Sequence, residues 1–127
     1  FAIDINSGII KWEQKINTYL DPSIIENLVL TISQDGYFII IDKRNGNILR
    51  STNIFNSLNY KKIFPTGFIA AKKFIFVSLS NGRLLKVNIK DGKTKDIIKI
   101  DGSKISRPYT LNKQMYILRN DAIIKVE

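Results

Sequence analysis

The 127 residues include no cysteine, no histidine, one methionine, one tryptophan and three prolines. Without cysteine there is no disulfide, no thiolate nucleophile and no thiolate metal ligand. Without histidine there is no imidazole to work as a general base near neutral pH. Any chemistry would rest on carboxylates, lysine, tyrosine or a cofactor. The uninterrupted apolar runs are short, as at Phe38 to Ile41 and Phe74 to Val77, against the roughly 20 residues that a membrane-crossing helix needs. The sequence therefore predicts no transmembrane segment. It opens at Phe1 without an initiator methionine, a basic leader or an apolar leader, so any signal or anchor is expected upstream. The lack of cysteine fits either redox compartment and leaves localisation open.

Basic residues outnumber acidic ones by 20 to 11, a formal charge of +9. Such a balance raises the question of nucleic acid. Lys11, Lys43, Lys86, Lys99 and Lys125 are spread along the chain beside apolar residues on the expected strands, which describes solvated faces and edges. No nucleic-acid partner is expected.

Isoleucine is abundant and alanine scarce; β-branched side chains suit a pleated surface and lose rotamer freedom in a helix. Periodicity sharpens this into an internal repeat. Three segments end alike: Asp4 with Gly8, Asp42 with Gly46, and Asn88 with Gly92, spaced by 38 and 46 residues. The Asp or Asn side chain can accept backbone N–H bonds inside such a turn, and glycine takes the left-handed conformation without a Cβ clash. A second turn precedes the first at a constant offset, with Asp35-Gly36, Asn81-Gly82 and the weaker Asn120-Asp121. Asp-Gly and Asn-Gly between apolar runs are strong hairpin signals.

A further short strand is expected before each hairpin, at Ser23 to Ile25, Gly67 to Ile69 and Pro108 to Leu111. A fourth follows each Asp-to-Gly turn, at Ile9 to Ile16, Ile48 to Ile54 and Thr94 to Ile100. Four meandering strands at a period near 40 residues are the pattern of a β-propeller blade. The predicted class is all-β, a β-propeller segment of four-stranded antiparallel blades. The chain reads as one unit, 1–127, with blade parts at about 1–20, 22–58, 66–102 and 106–127. A single sandwich or barrel of about a dozen strands is the competing architecture. Gly36, Gly46, Gly82 and Gly92 fall in no phosphate-cradle arrangement, and no carboxylate pair has a spacing suited to acid-base work. Asp4, Gly8, Gly36, Asp42, Gly46, Gly82, Asn88 and Gly92 are assigned to structural turns, and no catalytic, cofactor or metal residue is proposed. The extra residues between the second and third repeats, Phe55 to Pro65, mix aromatic and cationic side chains. They are expected to be a connector with Phe55 and Phe64 tucked between blades, and Tyr60, Lys61, Lys62 and Phe64 are its candidate partner contacts.

The arrangement Asp-x-x-x-Gly-x-x-x-Trp, complete in Asp4, Gly8 and Trp12, resembles the pyrroloquinoline-quinone-type propeller repeat. It is also similar to the BamB-type outer-membrane assembly lipoproteins built from such repeats. That resemblance implies a non-catalytic interaction scaffold in the bacterial periplasm, docking on the outer-membrane insertase. Quinone-dependent dehydrogenases and the sensory ectodomains of receptors, where similar repeats occur, are the alternatives. At the Trp12 position the second and third repeats carry Arg50 and Asp96, so the tryptophans that tie neighbouring blades in the dehydrogenases are mostly replaced, and the adjacent-cysteine disulfide of those enzymes is absent. No bound quinone is expected. Since a ring takes 4 to 8 blades, the chain is expected to be the C-terminal part of a propeller of six to eight, completed by further blades or by a second copy.

Overall fold

The computed structural model describes residues 1–56, 58 and 62–127. Its strands are grouped by the turns that separate them. The first sheet pairs β1 (Ala2–Ile3) with β2 (Ile10–Trp12). The second runs β3 (Ser23–Ile25), β4 (Leu28–Ile32), β5 (Tyr37–Asp42), β6 (Ile48–Asn53). The third runs β7 (Pro65–Ala71), β8 (Phe74–Leu79), β9 (Arg83–Asn88), β10 (Thr94–Lys99). The fourth holds β11 (Tyr109–Leu111), β12 (Gln114–Arg119) and β13 (Ala122–Val126). All pairings are antiparallel between consecutive strands, so each sheet is a simple meander.

The continuous apolar runs follow from sheets covered on both faces. In β5, Phe38 and Ile40 point into a core shared with Ile75, Val77, Leu85 and Val87 of the third sheet, while Ile39 and Ile41 are buried on the opposite face. In β9, Leu85 and Val87 belong to that core, and Leu84 turns the other way to meet Ile105 and Ile117. The two cores thus lie between successive sheets.

Two strands differ from expectation by more than one residue at an end. The fourth strand of the first repeat, expected over Ile9 to Ile16, pairs only at Ile10–Trp12, because its partner β1 supplies two residues. The strand expected at Gly67 to Ile69 instead runs Pro65–Ala71. Gly67 does not break it, since Ser78 Oγ donates to Gly67 O at 3.1 Å and Thr66 Oγ1 donates to Ser78 Oγ at 2.9 Å.

A bulge recurs in the first three sheets, where the third strand of the repeat meets the fourth. Ala2 pairs with Trp12 but Ile3 with Ile10; Ile40 pairs with Arg50 but Ile41 with Ile48; Lys86 pairs with Asp96 but Val87 with Thr94. Lys11, Leu49 and Lys95 are the extra residues, at one position of the repeat. A bulge bends its strand and re-aims the next side chain, here Trp12, Arg50 and Asp96.

Candidate functional site

Two kinds of turn lie side by side at one end of the sheets, since Lys43 N donates to Asn27 O at 2.8 Å and Ile89 N donates to Lys73 O at 2.9 Å. In the first, Asp4 Oδ1 accepts from Asn6 N and Ser7 N at 2.9 Å each. Asp42 Oδ1 accepts from Arg44 N at 2.8 Å, and its Oδ2 from Arg44 Nη2 at 2.7 Å. Asn88 Oδ1 accepts from Lys90 N at 2.8 Å. The N–H groups of Gly8, Gly46 and Gly92 close the turns on the carbonyls of Asp4, Asp42 and Asn88. The hydrogen bonds from Ser7 and Asn6 lower the Asp4 pKa, and the Arg44 guanidinium lowers that of Asp42 to about 2. Gly36 and Gly82 sit in the hairpin turns at the other end, their N–H groups donating to Ser33 O and Leu79 O.

The re-aimed side chains reach the next turn. Trp12 Nε1 donates to Lys43 O at 2.8 Å and Gln14 Nε2 to Gly46 O at 2.7 Å. Arg50 donates through both terminal nitrogens to Ile89 O and Lys90 O. Arginine thus makes an inter-sheet tie at the position where the first repeat uses tryptophan. Both side chains need only present an N–H to a main-chain carbonyl, which sequence similarity between Trp and Arg does not reveal. Asp96 has no hydrogen to give, and its Oδ1 accepts from Ile97 N at 2.8 Å.

In the connector, Tyr60 and Lys61 lie outside the described residues. Lys62 adopts φ 58°. Phe64 is 40% exposed, exchanges backbone and hydroxyl hydrogen bonds with Ser80, and has Lys104 Nζ 5.5 Å from its ring centroid. Phe55 packs on the second and third sheets' core and lies against Gly36.

Another cluster was missed from the sequence. Between the third and fourth sheets the turn end opens into a cavity of about 650 Å³. Phe74, Phe76 and Met115 form its apolar side, and Lys72, Lys73, Lys86 and Lys113 its cationic side. Lys86 was expected on a solvated face; it is half-buried, with Nζ 4.3 Å from the Phe74 ring centroid. The signal available in sequence was a pair of lysines in one turn and a lysine in the equivalent turn of the next repeat.

BamB from Moraxella catarrhalis superposes on this chain with a TM-score of 0.72, over 97% of this chain and 36% of its own, at 16% identity. These sheets are blades of a β-propeller. The quinohemoprotein alcohol dehydrogenase ADHIIG from Pseudomonas putida HK5 matches the propeller segment with a TM-score of 0.61, over 84% of this chain and 17% of its own, at 14% identity. The computationally designed Ika4 protein matches with a TM-score of 0.54, over 90% of this chain and 92% of its own, at 12% identity. The propeller segment therefore spans about a third of BamB and less of the dehydrogenase. No family model and no curated protein matches the sequence.

A quinone of the dehydrogenase type needs a stacking face and a cation held by carboxylates. Trp12 is engaged by Lys43 O and the face of Gly46. Among the described residues no three carboxylates gather as cation ligands. The described residues of this propeller segment do not assemble those two elements. Among the described residues no helix is long and apolar enough to cross a membrane.

Proposed function

We propose that residues 1–127 form one propeller segment that serves as a non-catalytic protein-interaction scaffold. The reading extends to the periplasm and to docking on an outer-membrane insertase, as the BamB-type resemblance implies. The observation that carries it is the commitment of the repeated polar residues. Asp4, Asp42 and Asn88 spend their side-chain oxygens on their own turns, and the depressed pKa values of the two aspartates suit acceptors of N–H bonds rather than proton-transfer groups. What remains on the turn end is apolar and cationic surface, the material of a docking face rather than of bond making.

Titration of the chain into the purified periplasmic domains of an outer-membrane insertase, followed by calorimetry, tests this reading. Saturable binding at a fixed stoichiometry is expected. Absence of binding, together with saturable micromolar uptake of pyrroloquinoline quinone in the presence of Ca²⁺, would overturn it in favour of a dehydrogenase propeller.

A further inference from the structure

The turn end of the second and third sheets carries positive charge that its own carboxylates do not answer. Asp42 is held by Arg44 and Asp91 by Lys95, and Glu26 is the one further carboxylate on these turns. Lys43, Lys72, Lys73 and Lys90 are exposed there, and among the described residues none of the four makes an ion pair.

Lys72, Lys73 and Lys90 border an open cleft of about 470 Å³ between the two sheets, and Ile25, Leu28 and Ile89 form its apolar wall. Several of its hydrogen-bonding groups are already engaged. Asn88 Oδ1 accepts from Lys90 N at 2.8 Å and from Asp91 N at 3.3 Å. Arg50 takes the carbonyls of Ile89 and Lys90, and Ile89 N donates to Lys73 O at 2.9 Å. These bonds withdraw directed acceptors and leave ammonium groups on flexible stems beside an apolar wall.

That combination separates the classes of partner. Protein interfaces favour arginine and aromatic rings and are poor in lysine. Single-stranded nucleic acid is gripped by aromatic stacking, and among the described residues no ring lines this cleft. A bilayer asks for neither. Its phosphates are many and mobile and are met by undirected charge, and its glycerol and upper acyl carbons suit an apolar wall set among lysines. The four lysines stand on turns of both sheets at one end, so their charge spreads over a face rather than along a strand.

We propose that this turn end rests on a bilayer containing anionic phospholipid, with phosphates facing Lys43, Lys72, Lys73 and Lys90 and the glycerol and upper acyl carbons of one lipid against Ile25, Leu28 and Ile89. The proposal goes beyond the scaffold reading: it names a lipid surface for this part of the turn end and leaves a protein partner to other faces.

Flotation of the full chain with vesicles tests it, since aggregated protein sinks while vesicle-bound protein rises. The chain should float with phosphatidylcholine vesicles that contain phosphatidylglycerol and stay behind with phosphatidylcholine alone. Binding should fall at least about tenfold when Lys72→Glu is combined with Lys90→Glu, and should fall in about 0.5 M salt. Glu26 holds the place of Lys72 in the second sheet, at φ 52° against 56°, so the turn accepts glutamate and an unchanged thermal midpoint excludes misfolding as the cause. Lys99→Glu combined with Lys104→Glu makes the same change of net charge near the opposite, hairpin-turn end, where Lys99 pairs with Arg83 and Ser103 O lies against Gly82. That pair should leave most of the binding. Equal loss in both pairs would reduce the effect to overall charge and overturn the proposal. So would displacement by glycerol phosphate, which would mark a small-anion site, or tighter binding of a single-stranded oligonucleotide that the Lys72 and Lys90 substitutions abolish. Insertase binding abolished by those substitutions, without flotation, would give the face to a protein and overturn it too. Insertase binding that persists in a chain that does not float would sink the bilayer assignment and leave the scaffold reading standing.

Discussion

Arg50 and Trp12 hold the same position in successive repeats and make the same kind of bond to the next turn. Arg50→Ala should lower stability by about 1–3 kcal/mol, the range for hydrogen bonds from a charged donor. Arg50→Lys should recover little, since an ammonium lacks the planar fork that reaches two carbonyls. Urea midpoints check both, and an unchanged midpoint in Arg50→Ala would dismiss the tie. At Gly46 (φ 77°) and Gly92 (φ 69°) an added Cβ would also lie 2.6 Å from the Trp12 ring and from Thr52 Oγ1, respectively. Valine at either should cost more than ~1 kcal/mol, and Asp42→Ala less; parental midpoints for both glycine variants would break the assignment of the turns. Acid supplies a separate check. Arg44 lowers the Asp42 pKa from 3.8 to about 2, and Ser103 with Arg119 does the same for Asp101. Folded carboxyls that bind protons less readily than unfolded ones add stability that is present above about pH 4 and lost as pH falls through about 2. Stability measured across that window should drop, and Asp101→Asn should flatten the slope. The turn residues were legible because their hydrogen bonds span two to four positions of the chain. Arg50 was not, because its partners are 39 and 40 residues away and belong to the main chain.

Strand pairing was legible for the opposite reason: hairpins join neighbours in sequence, and Asp-Gly and Asn-Gly mark where the chain reverses. What the sequence hid was the length of each strand, which its partner decides, and the bulge before each re-aimed side chain, which no residue type announces: Lys11, Leu49 and Lys95 share only a position. The cavity was hidden as well, because it forms from turns of two different sheets and its lysines look like surface charges when read singly. Burial ranks the elements. The central strands β4, β5, β8 and β9 carry Leu30, Phe38, Ile75 and Leu85 at 6% exposure or less, whereas β11 is exposed throughout and β1 with β2 makes a two-stranded sheet. Amide hydrogen exchange should follow that order, slowest in the central strands of the second and third sheets and fastest in the first sheet. Uniform protection across all four sheets would contradict the ranking.

At the scale of the molecule, the outer faces of the first and last sheets are apolar and open. Phe1 and Ile3 are 78% and 53% exposed on one, Leu111 and Ile123 64% and 72% on the other. Surfaces of this kind seek cover, so light scattering should show association that grows with concentration and weakens when Ile3→Lys is combined with Ile123→Lys. A monodisperse monomer at every concentration would refute this. The ties between blades carry one more consequence. Each runs from a side chain of one repeat to main-chain carbonyls of the following one, and every residue owns a carbonyl. For the bond itself only the giving side therefore holds information; its glycine apart, the receiving turn is free to drift. A single substitution can exchange one tie for another, as between Trp12 and Arg50, without a matching change across the joint. Repeats built on such one-sided contracts can diverge quickly in sequence while their arrangement persists, and paired covariation across these joints should be missing.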